Sequence, residues 1–284
     1  MSPDMIPELH CGRFRLRLDR PLIMGIINCT PDSFSGDGVA IDAARAVAQG
    51  RNFIAEGADI LDIGGESSRP GAAPVSEDEE LRRVMPVIEA LRDAGVPLSI
   101  DTVKPGVMRR AVAAGASMIN DINALRAPGA MEEAARSDAA VCLMHMQGTP
   151  QSMQDDPHYE DVVGEVATYL IERVEAARAA GIADERIVLD PGFGFGKSAE
   201  HNLALLRHLD AFHVLGFPLL VGLSRKSVLG KLTGRKVTER VPASVAAALV
   251  AVAKGARIVR VHDVAATCDA LAVWRVAGEN HISR

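Results

Sequence analysis

Cysteine is sparse in this chain, and what there is does not pair. Cys11, Cys29, Cys142 and Cys268 are scattered through 284 residues, and no two have CxxC spacing. That indicates neither a disulfide framework nor a zinc site. The N-terminus lacks a charged start followed by an apolar run, so no export signal is expected. No apolar stretch reaches the roughly 20 residues that span a bilayer. A reduced, cytoplasmic setting is the expectation, and the Asn28-Cys29-Thr30 sequon is then a chance match. An excess of positive charge is also missing: the net charge of -6 argues against nucleic acid as a partner. An anionic substrate must be held by a few local cations, not by the overall field. There is no GxGxxG after the first apolar run, which weakens a dinucleotide-binding reading. Linkers and low-complexity stretches are absent, so residues 1–284 are read as one domain.

What is present is alternation. Hydrophobic residues make up 48% of the chain, enough for a large core. Short apolar runs that end in polar residues are followed by longer amphipathic stretches. Strands are expected at Leu22–Asn28, Ile60–Gly64, Leu98–Asp101, Met118–Ile122, Val141–His145, Ile187–Asp190, Leu219–Gly222 and Ile258–His262. Helical stretches such as Asp42–Glu56, Glu77–Ala94, Pro105–Ala114, Asp161–Ala180 and Ser244–Lys254 lie between them. The strands are apolar on both faces, as parallel strands covered by helices require. Gly57, Gly95, Gly115, Gly181 and Gly255 each follow a helical stretch, where a left-handed C-terminal cap favours glycine. Eight β/α units predict an α/β fold, a (β/α)8 barrel; an open doubly wound sheet is the alternative. Residues 1–20 are expected to form a β-hairpin closing the barrel bottom.

The strands end in residues that folding alone does not call for: Asn28, Asp62, Asp101, Asn120 with Asp121, His145, Asp190, Ser224 with Arg225 and Lys226, and Arg260 with His262. A single Asp after a strand is more often a helix cap. Eight strands behaving alike points to one mouth where side chains from different strands meet a ligand. Two sets stand out. Asp101, Asn120, Asp190 and Lys226 offer two carboxylates, an amide and an ammonium, which suits a flat heterocycle with donors and acceptors on its edge. Asn28, Arg69, Arg260 and His262 suit a phosphate or diphosphate, with the Asn28 carbonyl as an oxygen ligand for Mg2+. The loops Thr30–Ala40 and Gly65–Ser76 are rich in Gly, Pro and Ser and read either as surface loops or as lids that exclude water. Pro191-Gly-Phe-Gly-Phe-Gly-Lys197 contains a GxxxxGK pattern with glycines interleaved by phenylalanines, so a phosphate-binding loop is the weaker reading. An exposed Phe193 is expected to offer an aromatic face.

These residues sit in MGIINCTPDSFS (24–35), DIGGESSRPG (62–71), SIDT (99–102), IND (119–121), LMHMQGTPQSMQ (143–154), LDPGFGFGK (189–197), GLSRKS (222–227) and RVHDV (260–264). Eight collinear motifs over nearly the whole chain resemble the dihydropteroate synthase family, the folate-pathway transferases targeted by sulfonamides. The resemblance implies a (β/α)8 barrel that joins (7,8-dihydropterin-6-yl)methyl diphosphate to 4-aminobenzoate, giving 7,8-dihydropteroate and diphosphate. It implies pterin on Asp101, Asn120, Asp190 and Lys226, and diphosphate on Asn28, Arg69, Arg260 and His262, with Mg2+ near Asn28. It also implies 4-aminobenzoate against Phe34, Ser68, Pro70, Phe193, Lys226 and Ser227 as the lids order. The residues expected to carry catalysis are Asn28, Arg69, Asp101, Lys226, Arg260 and His262. The chain departs from the family pattern at Ser68, where Thr is common, at Cys29, often a small apolar residue, and in FSGDG for FSDGG, which displaces Asp37 by one position.

Two alternatives keep the fold. A pterin-binding methyltransferase barrel needs no diphosphate clamp, and Arg69, Arg260 and His262 favour the synthase. A non-catalytic paralogue is expected to lose part of either lid or of the SRK motif, and all are present. The stretch Pro242–Lys254 is apolar almost all round, which marks a buried helix or an interface. The resemblance implies a homodimer formed through the last helices.

Overall fold

Ten strands and nine helices are seen in a computed structural model, which describes residues 8–30, 39–69 and 71–278. Two antiparallel strands come first, β1 (Glu8–Cys11) and β2 (Phe14–Arg17). The main sheet is all parallel: β3 (Leu22–Asn28), β4 (Ile60–Gly64), β5 (Leu98–Asp101), β6 (Met118–Asp121), β7 (Ala140–Met144), β8 (Ile187–Asp190), β9 (Leu220–Val221) and β10 (Ile258–Val261). Its order is β8-β7-β6-β5-β4-β3-β10-β9. A single parallel bridge, Leu189 to Leu219, joins the two ends, so the sheet closes into the expected barrel. Helices α1 (Val39–Ala55), α2 (Glu77–Leu91), α3 (Pro105–Ala114), α4 (Ala130–Arg136), α5 (Val162–Ala179), α6 (Ala199–Arg207), α7 (Ser227–Thr233), α8 (Val241–Ala253) and α9 (Val264–Gly278) run between or after the barrel strands.

Why the strands are apolar on both faces is now visible. Alternate residues such as Ile23, Leu61, Ile100, Val141 and Leu189 join the helices in one large core. The other alternate set, Met24, Ile60, Met118, Cys142, Val188, Leu220 and Ile258, fills the lower barrel interior together with Leu9, Cys11 and Leu18 from the hairpin segment. The hairpin therefore packs beneath the strand starts, and Gly12 N–H donates to the Asp138 carbonyl at 3.0 Å. The five predicted cap glycines all have left-handed backbones, with φ from +87° to +124°.

Four strands begin and end where the sequence places them: β3, β4, β5 and β8. β9 is shorter than expected, two residues in place of four, because its N-terminal neighbour Leu219 makes only an isolated bridge to β8. α8 resolves its ambiguity in part. Ala247, Ala248, Ala251 and Val252 are buried, while Val250 faces out.

Candidate active site

Inward parity decides which polar side chains meet. In register, Gly64, Asp101, Asn120 and Cys142 lie side by side across β4 to β7, and Met144 pairs with Asp190. One step lower Asp62 pairs with Ser99 and Ile26. The lower interior is apolar. One layer up, the same inward positions carry Asp62, Asp101, Asn120, Asp190 and Arg260, and that substitution of charge for methyl groups is the pocket floor.

Arg260 is its centre. Its Nε donates to Asp62 Oδ2 at 2.6 Å and its Nη2 to Asp101 Oδ2 at 2.7 Å. Asn120 Nδ2 donates to the same Asp62 oxygen at 3.1 Å, and the other oxygen of the fully buried Asp62 has no partner among the described residues. Burial works against the Arg260 charge, but Asp62 and Asp101 outweigh it and hold its pKa above the ordinary value. Burial pushes Asp101 up to about 7, opposed by Arg260 and reinforced by Asp62. The two sequence-derived sets are therefore joined. Arg260, expected on the anion, uses two donors on Asp62 and Asp101, and its Nη1 makes no hydrogen bond among the described residues.

Asp190 lies beside this group. Burial raises its pKa, against the Gly192 N–H that donates to it at 2.7 Å and the charge of Lys226. Lys226 is pushed down to about 8, first by burial, with Asp190 opposing. Its Nζ donates to the Phe193 carbonyl at 2.5 Å and sits 4.1 Å from the centre of the Phe195 ring. The expectation for Phe193 is corrected here. Its ring is 1% exposed and belongs to the core, so it reaches the pocket only through its carbonyl. The half-buried Phe195 presents the aromatic face, and it packs with Ile122, Met144, Met146 and Met153.

The glycine-rich segment is not a phosphate loop. Gly192, Gly194 and Gly196 have φ of +71°, +78° and +61°. A Cβ on Gly192 would meet the His145 carbonyl, and one on Gly196 the Gln147 carbonyl at 2.5 Å. The glycines serve a close approach to the segment after β7. Lys197 is buried, and its Nζ pairs with His145 Nδ1 at 2.9 Å and donates to the Gly192 and Phe195 carbonyls at 3.0 Å each. Burial lowers its pKa to about 7 and, with Lys197 adding to it, that of His145 to about 3. Asp121 is likewise internal. It accepts N–H bonds from Asn123 and Leu125 and so holds Ala124 and Leu125 at φ +51° and +58°.

The rim carries the remaining expected residues. His262 pairs through Nδ1 with Ser224 Oγ at 3.0 Å, and its pKa is lowered to about 4 by burial and then by Arg260, with Arg69 also contributing. The imidazole is thus neutral near pH 7. Arg69 is exposed, while Ser68 and Asn28 are half-buried at the ends of β4's loop and of β3. Ser227 is exposed at the start of α7. The turn before it is fixed by Arg225, at φ +58°, whose guanidinium binds both oxygens of Asp263. Phe34, Asp37 and Pro70 lie outside the described residues. Phe195 is the pocket residue that the motif reading passes over, and Asp62, counted there among the strand-end residues, is given no role.

A model of the pterin binding enzyme family matches residues 24–262. The dihydropteroate synthase of Neisseria meningitidis serogroup B is 56% identical over 278 residues, covering 95% of this chain and 98% of that one. The chain belongs to the dihydropteroate synthase family. Family membership makes it a transferase of folate synthesis. Solved dihydropteroate synthases superpose on it closely. That of Xanthomonas albilineans with 4-aminobenzoic acid has a TM-score of 0.91 and 55% identity, covering 96% of this chain and 99% of the other. That of Burkholderia cenocepacia complexed with 7,8-dihydropteroate has a TM-score of 0.89 and 52% identity, covering 99% and 100%. No helix among the described residues is long and apolar enough to cross a membrane.

Proposed function

We propose that this pocket condenses (7,8-dihydropterin-6-yl)methyl diphosphate with 4-aminobenzoate to give 7,8-dihydropteroate and diphosphate, with residues 1–284 acting as one catalytic domain. The observation that carries the reading is the inward polar layer centred on Arg260, in a chain 55% identical to an enzyme whose structure holds 4-aminobenzoic acid. Asp101, Asn120 and Asp190 take the donors and acceptors of the pterin edge, and the unpartnered Asp62 oxygen is a further acceptor there. A wrong ring leaves these buried groups unpaired, at about 1–3 kcal/mol each. Lys226, held between the Phe193 carbonyl and the Phe195 face, borders both ring and amine. The Phe195 face, with Ser68, Ser227, Phe34 and Pro70, bounds the 4-aminobenzoate side, and Phe193 contributes its carbonyl.

The aromatic amine is neutral at pH 7 and already has a lone pair. No strong base is needed: the N–H proton lost as the C–N bond forms passes to the departing diphosphate or to water, and His262 Nδ1 stays paired with Ser224. The work is leaving-group stabilisation by Arg69, His262 and the Nη1 of Arg260. An arriving diphosphate favours the protonated imidazole and turns His262 from neutral donor to cation. Asn28 has one uncharged oxygen donor, and the described residues hold no cluster of three or more His, Cys, Asp or Glu side chains fit for a metal. That donor set fits Mg2+ carried mainly by phosphate oxygens and water. Bound there, the ion supplies charge neutralisation on the departing diphosphate.

The electron-rich dihydropterin can delocalise a methylene cation, and Asp101 and Asp190 stabilise it, so the substitution is dissociative, of SN1 type. Diphosphate release measured with and without 4-aminobenzoate tests the activity. Release that does not depend on the amine, or no release, rejects it. Positional isotope exchange in the diphosphate of unreacted substrate is expected, and a complete lack of exchange argues for a concerted displacement. Four free cysteines, three of them buried, fit a reducing cytoplasm. The exposed Val250, Val273 and Val276 on α8 and α9 fit a homodimer.

A further inference from the structure

A second charged cluster lies behind the pocket and takes no part in the chemistry above. Glu80, in the first turn of α2, is fully buried, and its Oε2 meets Lys104 Nζ at 2.5 Å. The same ammonium meets Glu66 Oε2, also at 2.5 Å. Glu66 lies early in the loop between β4 and α2, and its other oxygen accepts the Val75 N–H at 2.9 Å, which ties Glu66 to the far end of that loop. That loop carries Ser68 and Arg69. Lys104 is the residue before α3, three places after Asp101, and its backbone N–H donates to Thr102 Oγ1 at 3.2 Å. One ammonium thus ties the rim loop to the strand end that reads the pterin. Glu80 is fully buried and Lys104 and Glu66 are each about four-fifths buried, and withdrawing such a trio from water for shape alone gains little, since apolar side chains of the same volume serve stability as well or better. A charged trio is favoured where one geometry must be specified.

We infer that Lys104 is a positioning residue: through Glu66 and Glu80 it sets where Ser68 and Arg69 stand over Asp101. This rests on the reading of the pocket proposed above. Lys104→Met is expected to raise the KM for 4-aminobenzoate at least about ten-fold, equivalent to ~1.4 kcal/mol. Affinity for a pterin lacking phosphate is expected to stay within about two-fold. Lys104→Arg keeps the charge and restores most of the loss. Amide exchange over residues 66–75 rises in Lys104→Met alone. Glu66→Gln, which can still accept the Val75 N–H, keeps the buried Glu80 pair and is expected to give a smaller KM rise; it decides the matter if Lys104→Met does not fold. A 4-aminobenzoate KM within about two-fold of wild type in either variant overturns the inference. So does a loss of pterin affinity by the same factor as the KM rise, which marks general damage. Wild-type enzyme without turnover defeats the proposed function instead, and the exchange measurement still reports whether Lys104 holds the loop.

Discussion

Asp101 and Lys226 share a pocket yet are displaced toward each other in pH. Burial pushes the carboxyl up to about 7 and the ammonium down to about 8. In the free enzyme the working form needs Asp101 ionised and Lys226 protonated. The kcat/KM is therefore expected to rise with pH through about 7, as Asp101 loses its proton, and to fall above about 8, as Lys226 loses its own. Asp101→Asn should remove the acidic limb from what activity remains, and Lys226→Arg should shift the alkaline limb upward. A profile flat from pH 6 to 9 in the wild type rejects both assignments. Asp62 belongs to this scale too. It stands among the strand-end polar residues of the sequence but carries no assigned role there, since Gly64 closes its strand two places later. Inward parity from Ile60 supplies the role, because Ile60, Asp62 and Gly64 face the barrel axis together.

The segment after β8 shows what an element hides from its sequence. Phe193 and Phe195 are both flanked by glycines and look equivalent as letters. Left-handed Gly194 turns the chain between them, with left-handed Gly192 and Gly196 on either side, so that one ring enters the core and the other meets Lys226. Nothing in the spacing distinguishes them. Phe193→Ala is expected to cost about 3–5 kcal/mol of stability through the cavity it leaves. Phe195→Ala should leave the melting temperature nearly unchanged and raise the KM for 4-aminobenzoate by about five-fold or more. The reverse pattern in thermal unfolding and kinetics would restore the sequence-based choice of Phe193. Strand positions were far more legible. An apolar run that stops at a polar residue marks the point where a parallel strand leaves the helix-covered core for the mouth, hence the matching bounds of β3, β5 and β8, which end in Asn28, Asp101 and Asp190. The short α4 and α7 carry no comparable signal. Each has seven residues and no side-chain cap on its first turn. The α6 start is capped by Ser198 with His201, a pairing outside the usual Ser-x-x-Glu form.

For the molecule as a whole, α8 and α9 expose large apolar side chains, among them Val250, Val273 and Val276. Val273 is 69% exposed and Val276 82%, beside the half-buried Trp274. Sedimentation at micromolar concentration is expected to show a dimer, and Val273→Glu with Val250→Glu should yield monomer. A monomeric wild type disposes of that assembly. The barrel has its own uneven circumference. Seven of its joins are ladders of two to five residue pairs, and the eighth, between β8 and β9, is one bridge at Leu189 and Leu219. That seam runs directly below Asp190 and Lys226. A staved cask parts first where its staves are least bound, so native-state hydrogen exchange should be fastest, among the barrel strands, at 187–190 and 219–222. A ligand that bridges Asp190 and Lys226 then acts as a hoop, and slowed exchange at that seam should report its arrival before any product is made.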